Sequence, residues 1–347
     1  MRRRMARELA RTGLLHVALS LRRRLPSPWL PVLTYHRFAS SNTAQASPTA
    51  IDLLDQNVAD TTPETFDLHM SLLARWFTVL DLNEVLALPA GKLLPPNPVV
   101  VTFDDGYKDG LHVAMPILRR HGIKATFFVA TDYVDQRKLF WWDRIHMAVK
   151  STRREWIELS YPAPLRFRVR TEAERRSVAA RLTRLVKDET DLDLERFIDG
   201  LFEACDASPA AEEERLLAEA LLMTWDDLRA LQDGGMSVQS HTRTHRTLQT
   251  LPLARLRDEL GGSREVLERE LGQRVKAIAY PVGKRLGSAP QIRDAVRSAG
   301  YELGFSNDSG VNNAWTFDRL DARRLSLDVD LPEAHFLAML ALPWLSE

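Results

Sequence analysis

Two neighbouring carboxylates stand where a buried strand is predicted to end. Asp104 and Asp105 follow residues 99–103, Val-Val-Val-Thr-Phe, a run typical of a strand buried on both faces. Two adjacent carboxylates are costly there, because like charges resist ionising together. Since side chains alternate along an extended chain, one of them can bind a cation while the other meets a reacting atom. A hairpin turn at Asp-Gly is disfavoured, because a helix-like stretch follows Gly106.

A histidine pair follows another predicted strand. Residues 240–245 read Ser-His-Thr-Arg-Thr-His, which places His241 and His245 four residues apart. Neutral imidazoles are good zinc ligands, and two of them with one carboxylate leave a coordination position open for water. Thr242 stands where the helical metalloprotease motif has Glu, so that class lacks its base here. Cys205 is the single cysteine, which excludes a Cys-rich zinc site and an internal disulfide framework.

The elements around these residues alternate between strand and helix. The strand 99–103, a helix over 111–121 and a strand over 125–130 form a βαβ unit, which implies a parallel sheet. Further strands are predicted at 32–35, 236–239, 277–280 and 303–305. The repeated unit favours a β/α barrel or an open α/β sheet. In a β/α barrel the carboxyl ends of the strands line the active site.

Two segments lie outside this alternation. Residues 1–30 carry eight Arg and one acid, and we expect a basic amphipathic helix. It either lies on an anionic membrane surface or packs on the domain, and the packing residues would then be Leu14, Leu15, Val17 and Leu19. Residues 143–225 are rich in Arg, Glu, Leu and Ala and predict a largely helical insertion. The chain thus divides into 1–30 and 31–347, with the insertion in the second part.

The composition excludes several classes of protein. The chain has 347 residues, 45% of them hydrophobic and 27% charged, which excludes a wholly disordered or low-complexity chain. It contains no run of 18 apolar residues, so no transmembrane helix is expected. The formal net charge is zero, and we expect no nucleic-acid partner.

The two polar motifs together resemble a known family. Residues 102–107, Thr-Phe-Asp-Asp-Gly-Tyr, and the His-x3-His pair are similar, in this order and each after a strand, to the first two motifs of the polysaccharide deacetylases with a NodB homology domain (carbohydrate esterase family 4). The similarity covers about residues 31–142 and 224–328 and leaves the insertion unexplained. It implies an α/β fold, a distorted (β/α) barrel of the NodB type.

The resemblance also implies roles for individual residues. Asp105, His241 and His245 would hold a divalent metal, most often zinc, and Asp104 would be the general base. A metal polarises an amide carbonyl and lowers the pKa of bound water, whose proton the base can take. The backbone N–H of Tyr107 is a candidate for stabilising the oxyanion. The implied reaction removes an N-acyl group, in the first place acetyl, from an amino sugar of a glycan or glycolipid.

The sequence departs from the family in two places. No Leu-His pair near the C-terminus supplies the acid for the leaving amine; His36 is our candidate for that acid, and His335 is a less favoured one. Residues 280–283, Tyr-Pro-Val-Gly, lack the preceding Arg that orients the base in many members, and Arg285 is a candidate substitute.

Four aromatic residues are candidates for contact with a sugar. Tyr280 and Trp315 can form a stacking wall, and Trp141 with Trp142 can line the groove.

Other functions stay open on the sequence alone. The enzyme can be a deformylase of a lipid-linked amino sugar, or the chain can be a catalytically inactive carbohydrate-binding relative. It can also be a membrane-associated assembly protein that works through its basic helix and insertion. Since no clear export signal is visible, we expect a cytoplasmic protein, at the inner face of the membrane if residues 1–30 bind lipid, and a lipid-linked saccharide as substrate. Export stays an alternative.

Overall fold

The computed structural model describes residues 14–39, 52–88, 91–207, 211–287, 289–329 and 331–342. In chain order its strands are β1 (Trp29–Leu30), β2 (Val32–Tyr35), β3 (Arg37–Phe38), β4 (Ala59–Thr61), β5 (Thr78–Val79), β6 (Pro98–Phe103), β7 (Thr126–Val129), β8 (Trp156–Leu159), β9 (Leu165–Arg168), β10 (Ser237–Ser240), β11 (Ala277–Ala279), β12 (Leu303–Ser309), β13 (Asn312–Asn313) and β14 (Ala322–Ser326).

Seven of these strands close into a parallel barrel in the order β2-β14-β12-β11-β10-β7-β6. Pairing of β6 with β2, from Val32 opposite Val100 to Tyr35 opposite Phe103, completes the ring. The short strand β5 pairs in parallel with the first two residues of β6. The barrel that the strand and helix pattern favoured is therefore confirmed, and the open sheet is excluded.

Alternation along the strands decides which side chains enter the barrel. One set of buried residues fills the interior and the intervening set packs against the helices outside. The interior set includes Val32, Val100, Phe128, Phe305 and Ala322. Counting on from Val100 in steps of two leads to Thr102 and Asp104, so the first of the paired carboxylates enters the barrel at its carboxyl end.

The helices surround the barrel. They are α1 (Leu14–Arg22), α2 (Pro63–Trp76), α3 (Leu82–Ala87), α4 (Met115–Arg120), α5 (Thr131–Gln136), α6 (Trp141–Ser151), α7 (Glu172–Asp188), α8 (Leu194–Cys205), α9 (Ala211–Leu221), α10 (Trp225–Asp233), α11 (Leu253–Arg257), α12 (Ser263–Leu271), α13 (Pro290–Ser298) and α14 (Glu333–Ala341). Thr62 caps α2 by accepting a hydrogen bond from Thr65 N. Thr224 and Asp227 form a capping box at the start of α10.

The insertion has a hydrophobic core of its own. Helices α6 to α9 share a cluster of buried residues that is separate from the main barrel cluster. The segment also contains an antiparallel hairpin of β8 and β9, which was not predicted. Its signal is the alternation in β8, where Ile157 and Leu159 are buried while Trp156 and Glu158 are exposed.

The N-terminal helix is described from Leu14, and residues 1–13 lie outside the described part of the chain. In α1, Leu15 and Leu19 are buried, whereas Val17, also expected to pack, is 56% exposed. The guanidinium of Arg22 donates a hydrogen bond to Ala341 O at the end of α14. None of the helices in the described ranges is both long enough and apolar enough to span a membrane.

Candidate active site

A cavity of about 380 Å³ opens at the carboxyl ends of the barrel strands. Asp104 and Asp105 after β6 line it together with His241 and His245 after β10, and His36 after β2 lies in the same wall. The closed barrel thus brings together all five residues for which the sequence predicted catalysis or metal binding.

The predicted metal ligands converge on one point. Asp105 Oδ1 lies 3.5 Å from His241 Nε2 and 3.3 Å from His245 Nε2. One ligand atom from each of the three buried residues lies within 4.8 Å of the other two. His241 Nδ1 donates a hydrogen bond to Ala279 O at 2.8 Å, which leaves its Nε2 as the atom with a free lone pair.

The protonation states of these residues suit a divalent cation. Burial alone would raise the pKa of Asp105, but the facing imidazoles hold that pKa well below its usual range, so the side chain is a carboxylate. Burial and the neighbouring His241 lower the pKa of His245, which favours the neutral imidazole that binds metal. Asp105 Oδ1 is buried and accepts no hydrogen bond within the described residues. A buried carboxylate oxygen that faces two imidazole nitrogens fits a bound cation.

The backbone is strained at this point. Asp105, Thr242 and His245 have φ values of 73°, 67° and 54°, in the left-handed region that residues other than glycine rarely adopt. Such conformations persist only where the surrounding contacts enforce them, and they concentrate at functional sites. At Asp105 the turn brings its side chain to the same cavity as that of Asp104.

Arg324 holds the Asp104 carboxylate. Its Nη1 and Nη2 donate to Oδ1 and Oδ2 at 2.8 and 2.6 Å, and the guanidinium is completely buried. Burial alone would raise the pKa of Asp104, but the charge of Arg324, followed by those of His241 and His36, lowers it. The base candidate is therefore ionised and fixed in orientation.

The sequence did not point to Arg324. The candidate substitute was Arg285, which instead pairs with Asp308 and Asp321 at 3.6 and 3.4 Å and is half exposed. Arg324 lies in β14, a strand that the sequence pattern did not predict. The side chain of Arg324 points into the barrel because β14 lies between β2 and β12 in the closed ring.

His36 has an acidic partner on each ring nitrogen. Its Nδ1 lies 2.8 Å from Asp60 Oδ2, and its Nε2 lies 3.8 Å from Asp104 Oδ2. Burial alone would lower the pKa of His36, but Asp60, Asp105 and Asp104 outweigh burial and raise this pKa to about 9. Asp60 was not predicted as a site residue, because residues 40–62 looked like a loop. In the structure residues 59–61 form β4. Residues 40–51 of the predicted loop lie outside the described residues.

Three residues hold the loop that carries His245. Trp141 Nε1 donates to the carbonyl oxygen of His245 at 3.2 Å, and the ring of Trp142 lies 4.7 Å from its imidazole. The buried carboxylate of Glu259 accepts hydrogen bonds from Arg243 N and Thr244 N at 2.8 and 2.9 Å. Trp142 lines the cavity, whereas Trp141 lies behind it. The histidine loop is thus held from both sides.

The remaining predicted contact residues lie in different places. Tyr107 is buried next to the site and forms an isolated β-bridge with Leu222. The two hydrogen bonds of this bridge are donated by Lys108 N and Met223 N. The backbone N–H of Tyr107 therefore takes no part in the bridge. The ring of Tyr280 is buried, and its hydroxyl donates to Leu320 O at 2.7 Å. Within the described residues, Tyr280 does not line the cavity.

Trp315 lies at the opposite end of the barrel. It is 58% exposed and follows β13, which pairs with β1 ahead of the first barrel strand. It lines a separate small cavity with Leu30 and Phe317. The structure therefore does not bring Trp315 to the predicted site. The other acid candidate, His335, lies in α14 and is absent from the described lining of the site cavity.

The sequence model of the polysaccharide deacetylase family matches residues 92–158 and 201–304. The two blocks contain both carboxylates and both histidines, and the gap between them falls inside the insertion. The chain belongs to the polysaccharide deacetylase family. This confirms the predicted family and its class of enzymes, hydrolases that act on carbon–nitrogen bonds.

Similar proteins agree with this family and with the fold. The Bacillus subtilis protein YxkH, a suggested polysaccharide deacetylase, is 19% identical over 284 residues, which is 81% of this chain. The chain covers 66% of YxkH, just under two thirds of its length.

Two solved structures share the barrel of this deacetylase-family chain. The deacetylase PplD of Streptococcus pyogenes has a TM-score of 0.57 at 20% identity, with 91% of this chain and 99% of that chain covered. IcaB from Ammonifex degensii has a TM-score of 0.54 at 17% identity, with 93% and 99% covered. At these identities the comparison establishes the fold, a NodB-type barrel.

Proposed function

We propose that this member of the polysaccharide deacetylase family is a metal-dependent hydrolase that removes an N-acyl group, in the first place acetyl, from an amino sugar of a glycan or glycolipid. One observation carries the proposal. A buried carboxylate and two imidazoles face one point, and within the same cavity stand a second carboxylate held by arginine and a histidine paired with an acid.

Asp105, His241 and His245 would hold the metal, and zinc suits a set of one carboxylate and two imidazoles. When bound, such an ion polarises an amide carbonyl and lowers the pKa of water.

Asp104 is the proposed general base. Arg324 keeps it ionised and fixes both carboxylate oxygens, so its remaining lone pairs can accept the proton of the attacking water. The arginine lowers the proton affinity of Asp104, but it also orients the carboxylate before the substrate arrives.

His36 is the proposed general acid. Its raised pKa keeps the imidazole protonated at neutral pH, and the bond from Nδ1 to Asp60 leaves the Nε2 proton free to move to the departing amine. Because Nε2 lies 3.8 Å from Asp104 Oδ2, base and acid face the same amide group: the base would take a proton from the water that attacks its carbonyl carbon, and the acid would protonate its nitrogen as the C–N bond breaks. The backbone N–H of Tyr107 is the proposed donor to the oxyanion.

The proposed activity is tested by incubating the purified chain with N-acetylated amino-sugar oligosaccharides and measuring acetate and free amine together. We expect equal amounts of both products. Release of formate from a formylated lipid-linked amino sugar, without release of acetate, would instead favour the deformylase. Saccharide binding without release of any acyl group would favour the inactive relative.

We also propose a peripheral contact with an anionic membrane, at its cytoplasmic inner face, where a lipid-linked saccharide would be the substrate. The support is the exposed surface of α1 and its flank, where Val17, Leu21 and Leu25 are 56–63% exposed beside Arg23 and Arg24. Apolar side chains among arginines suit an anionic lipid surface.

Sedimentation with phosphatidylglycerol vesicles, and cell fractionation, test this contact. Replacing Arg23 and Arg24 by Gln should reduce binding to these vesicles. Equal binding to phosphatidylcholine vesicles would contradict an electrostatic contact.

A further inference from the structure

One helix of the insertion contributes to the wall of the active-site cavity. Thr183 and Lys187 lie four residues apart on α7, which puts them on one face of that helix. Both line the cavity that contains Asp105 and His245. The insertion therefore does more than pack beside the barrel.

Neither side chain has a partner within the described residues. The Thr183 hydroxyl oxygen is buried and makes no hydrogen bond there. The Lys187 ammonium makes no hydrogen bond or ion pair there, and burial lowers its pKa. The next residue behaves differently, because Asp188 accepts a hydrogen bond from Lys284 Nζ at 2.7 Å. That exposed contact ties the end of α7 to the loop after β11.

Each acid in the cavity has a nearer partner than Lys187, although the charges of Asp55 and Asp105 reach the lysine and act to raise the pKa of its ammonium. Asp104 is held by Arg324, and Asp60 faces His36. Asp55 Oδ2 lies 3.6 Å from His146 Nε2. Lys187 is thus a partly desolvated cation without a dedicated carboxylate.

With a divalent cation bound, the cavity would carry a positive charge next to Lys187, which would attract an anion. A divalent cation held by Asp105 would carry one more positive charge than that carboxylate, and Lys187 adds another, while Asp55 offsets one of the two. Among the described residues that line the cavity, Lys187 is the one lysine or arginine. A negatively charged group in this part of the cavity would be attracted to the ammonium and can accept a hydrogen bond from Thr183.

We infer that Lys187 and Thr183 bind an anionic group, a phosphate or a carboxylate, that the saccharide carries next to the sugar losing its acyl group. This inference rests on the proposed hydrolase function and names its substrate class. The insertion then selects the substrate, while the barrel supplies the chemistry.

The test compares three defined saccharides. They are a neutral N-acetylated chitotetraose, a tetrasaccharide of alternating N-acetylglucosamine and glucuronate, and N-acetylchitobiose 1-phosphate. Hydrolysis gives kcat/KM for each, and calorimetry gives Kd without any turnover. The carboxylate and phosphate probes distinguish the two sources of the anion. We expect the wild type to prefer one anionic probe over the neutral one.

Lys187→Met should lower that preference by about tenfold or more, the usual effect of losing a hydrogen bond to a charged group. Lys187→Arg should retain much of it. Arg184→Gln changes an exposed cation on the same helix and should leave the preference unchanged. Metal content and thermal unfolding of each variant show whether the site is intact.

Two results would overturn the inference. One is an unchanged preference for the anionic probe in Lys187→Met. The other is an equal loss of kcat/KM on neutral and anionic probes, which would assign the lysine to the reaction itself. Failure of the hydrolase proposal looks different. In that case the wild type would bind the anionic probe in a Lys187-dependent way and release no acyl group from any of the three.

Discussion

Arg324 and Asp104 are 220 positions apart in the chain and form two parallel hydrogen bonds of 2.8 and 2.6 Å inside the barrel. Strand β14 carries the arginine, β6 leads to the aspartate, and β2 lies between them. The pair reaches across one strand at the point where the barrel closes. The proposed base is therefore oriented by a residue from the last barrel strand.

Removing the arginine should affect stability as well as rate. Arg324→Met leaves the Asp104 carboxylate buried without its cation, and loss of one partner of a buried ion pair typically costs about 3–5 kcal/mol. Urea unfolding measures this loss. Arg323→Met breaks a more exposed ion pair with Asp308 and should change the free energy of unfolding by about 1 kcal/mol or less. Similar losses in both variants would contradict the role given to the buried pair.

The roles of the two neighbouring aspartates can be separated by metal analysis. Asp105→Ala or His241→Ala should lose bound metal and hydrolysis together, since each removes a ligand. Asp104→Asn should keep the metal and lose turnover by about 100-fold or more, because the general base is gone. His121→Ala, which changes a histidine paired with Asp67 elsewhere, is the control. Near wild-type hydrolysis by Asp104→Asn would refute the assignment of the base.

The pair of His36 and Asp60 predicts the alkaline side of the pH profile. The pKa of His36 is raised to about 9 without a metal, and a cation on Asp105 would lower it, so in the loaded enzyme the acid is lost and kcat/KM should fall at or below pH 9. Asp60→Asn removes the strongest source of the increase, and the fall should move toward or below pH 6.5, the ordinary value. Asp67→Asn removes the acid beside His121 and should leave the profile unchanged.

The same pair also contributes to folding. The pKa of His36 is higher in the folded chain than in the unfolded chain. The protonated imidazole therefore adds to the free energy of unfolding in full below about pH 6.5, and this contribution disappears as the pH rises through about 9. Thermal unfolding across this range should show a smaller pH dependence for His36→Ala than for the wild type. Identical pH dependence, together with an unchanged rate profile, would show that His36 is not the acid.

Glu259 is expected to act through the histidine loop. Its buried carboxylate accepts bonds from Arg243 N and Thr244 N, so Glu259→Ala leaves two donors unsatisfied at about 1–3 kcal/mol each. We expect weaker metal binding by direct titration and a lower unfolding midpoint. Glu259→Gln keeps an acceptor and should lose less. Glu265→Gln, an exposed change on the neighbouring helix, should have little effect; an equal effect of the two Gln variants would contradict the argument.

The sequence by itself determined the alternation of strand and helix and pointed to the residues that we propose hold a metal. Asp104 with Asp105, and His241 with His245, are close in the chain, so short spacings after recognisable strands were enough to find them. His36 was found in the same way, from the end of a strand.

Tertiary structure alone decided the partners of those residues. Arg324, Asp60 and Lys187 come from a late strand, an apparent loop and the insertion, and no local spacing connects them with the site. Trp315 was placed wrongly for the same reason: after β12 the chain turns back toward the amino ends of the strands, where β13 pairs with β1. Periodicity fixes which face of an element is buried, but the order in which strands close the barrel fixes which distant side chains meet.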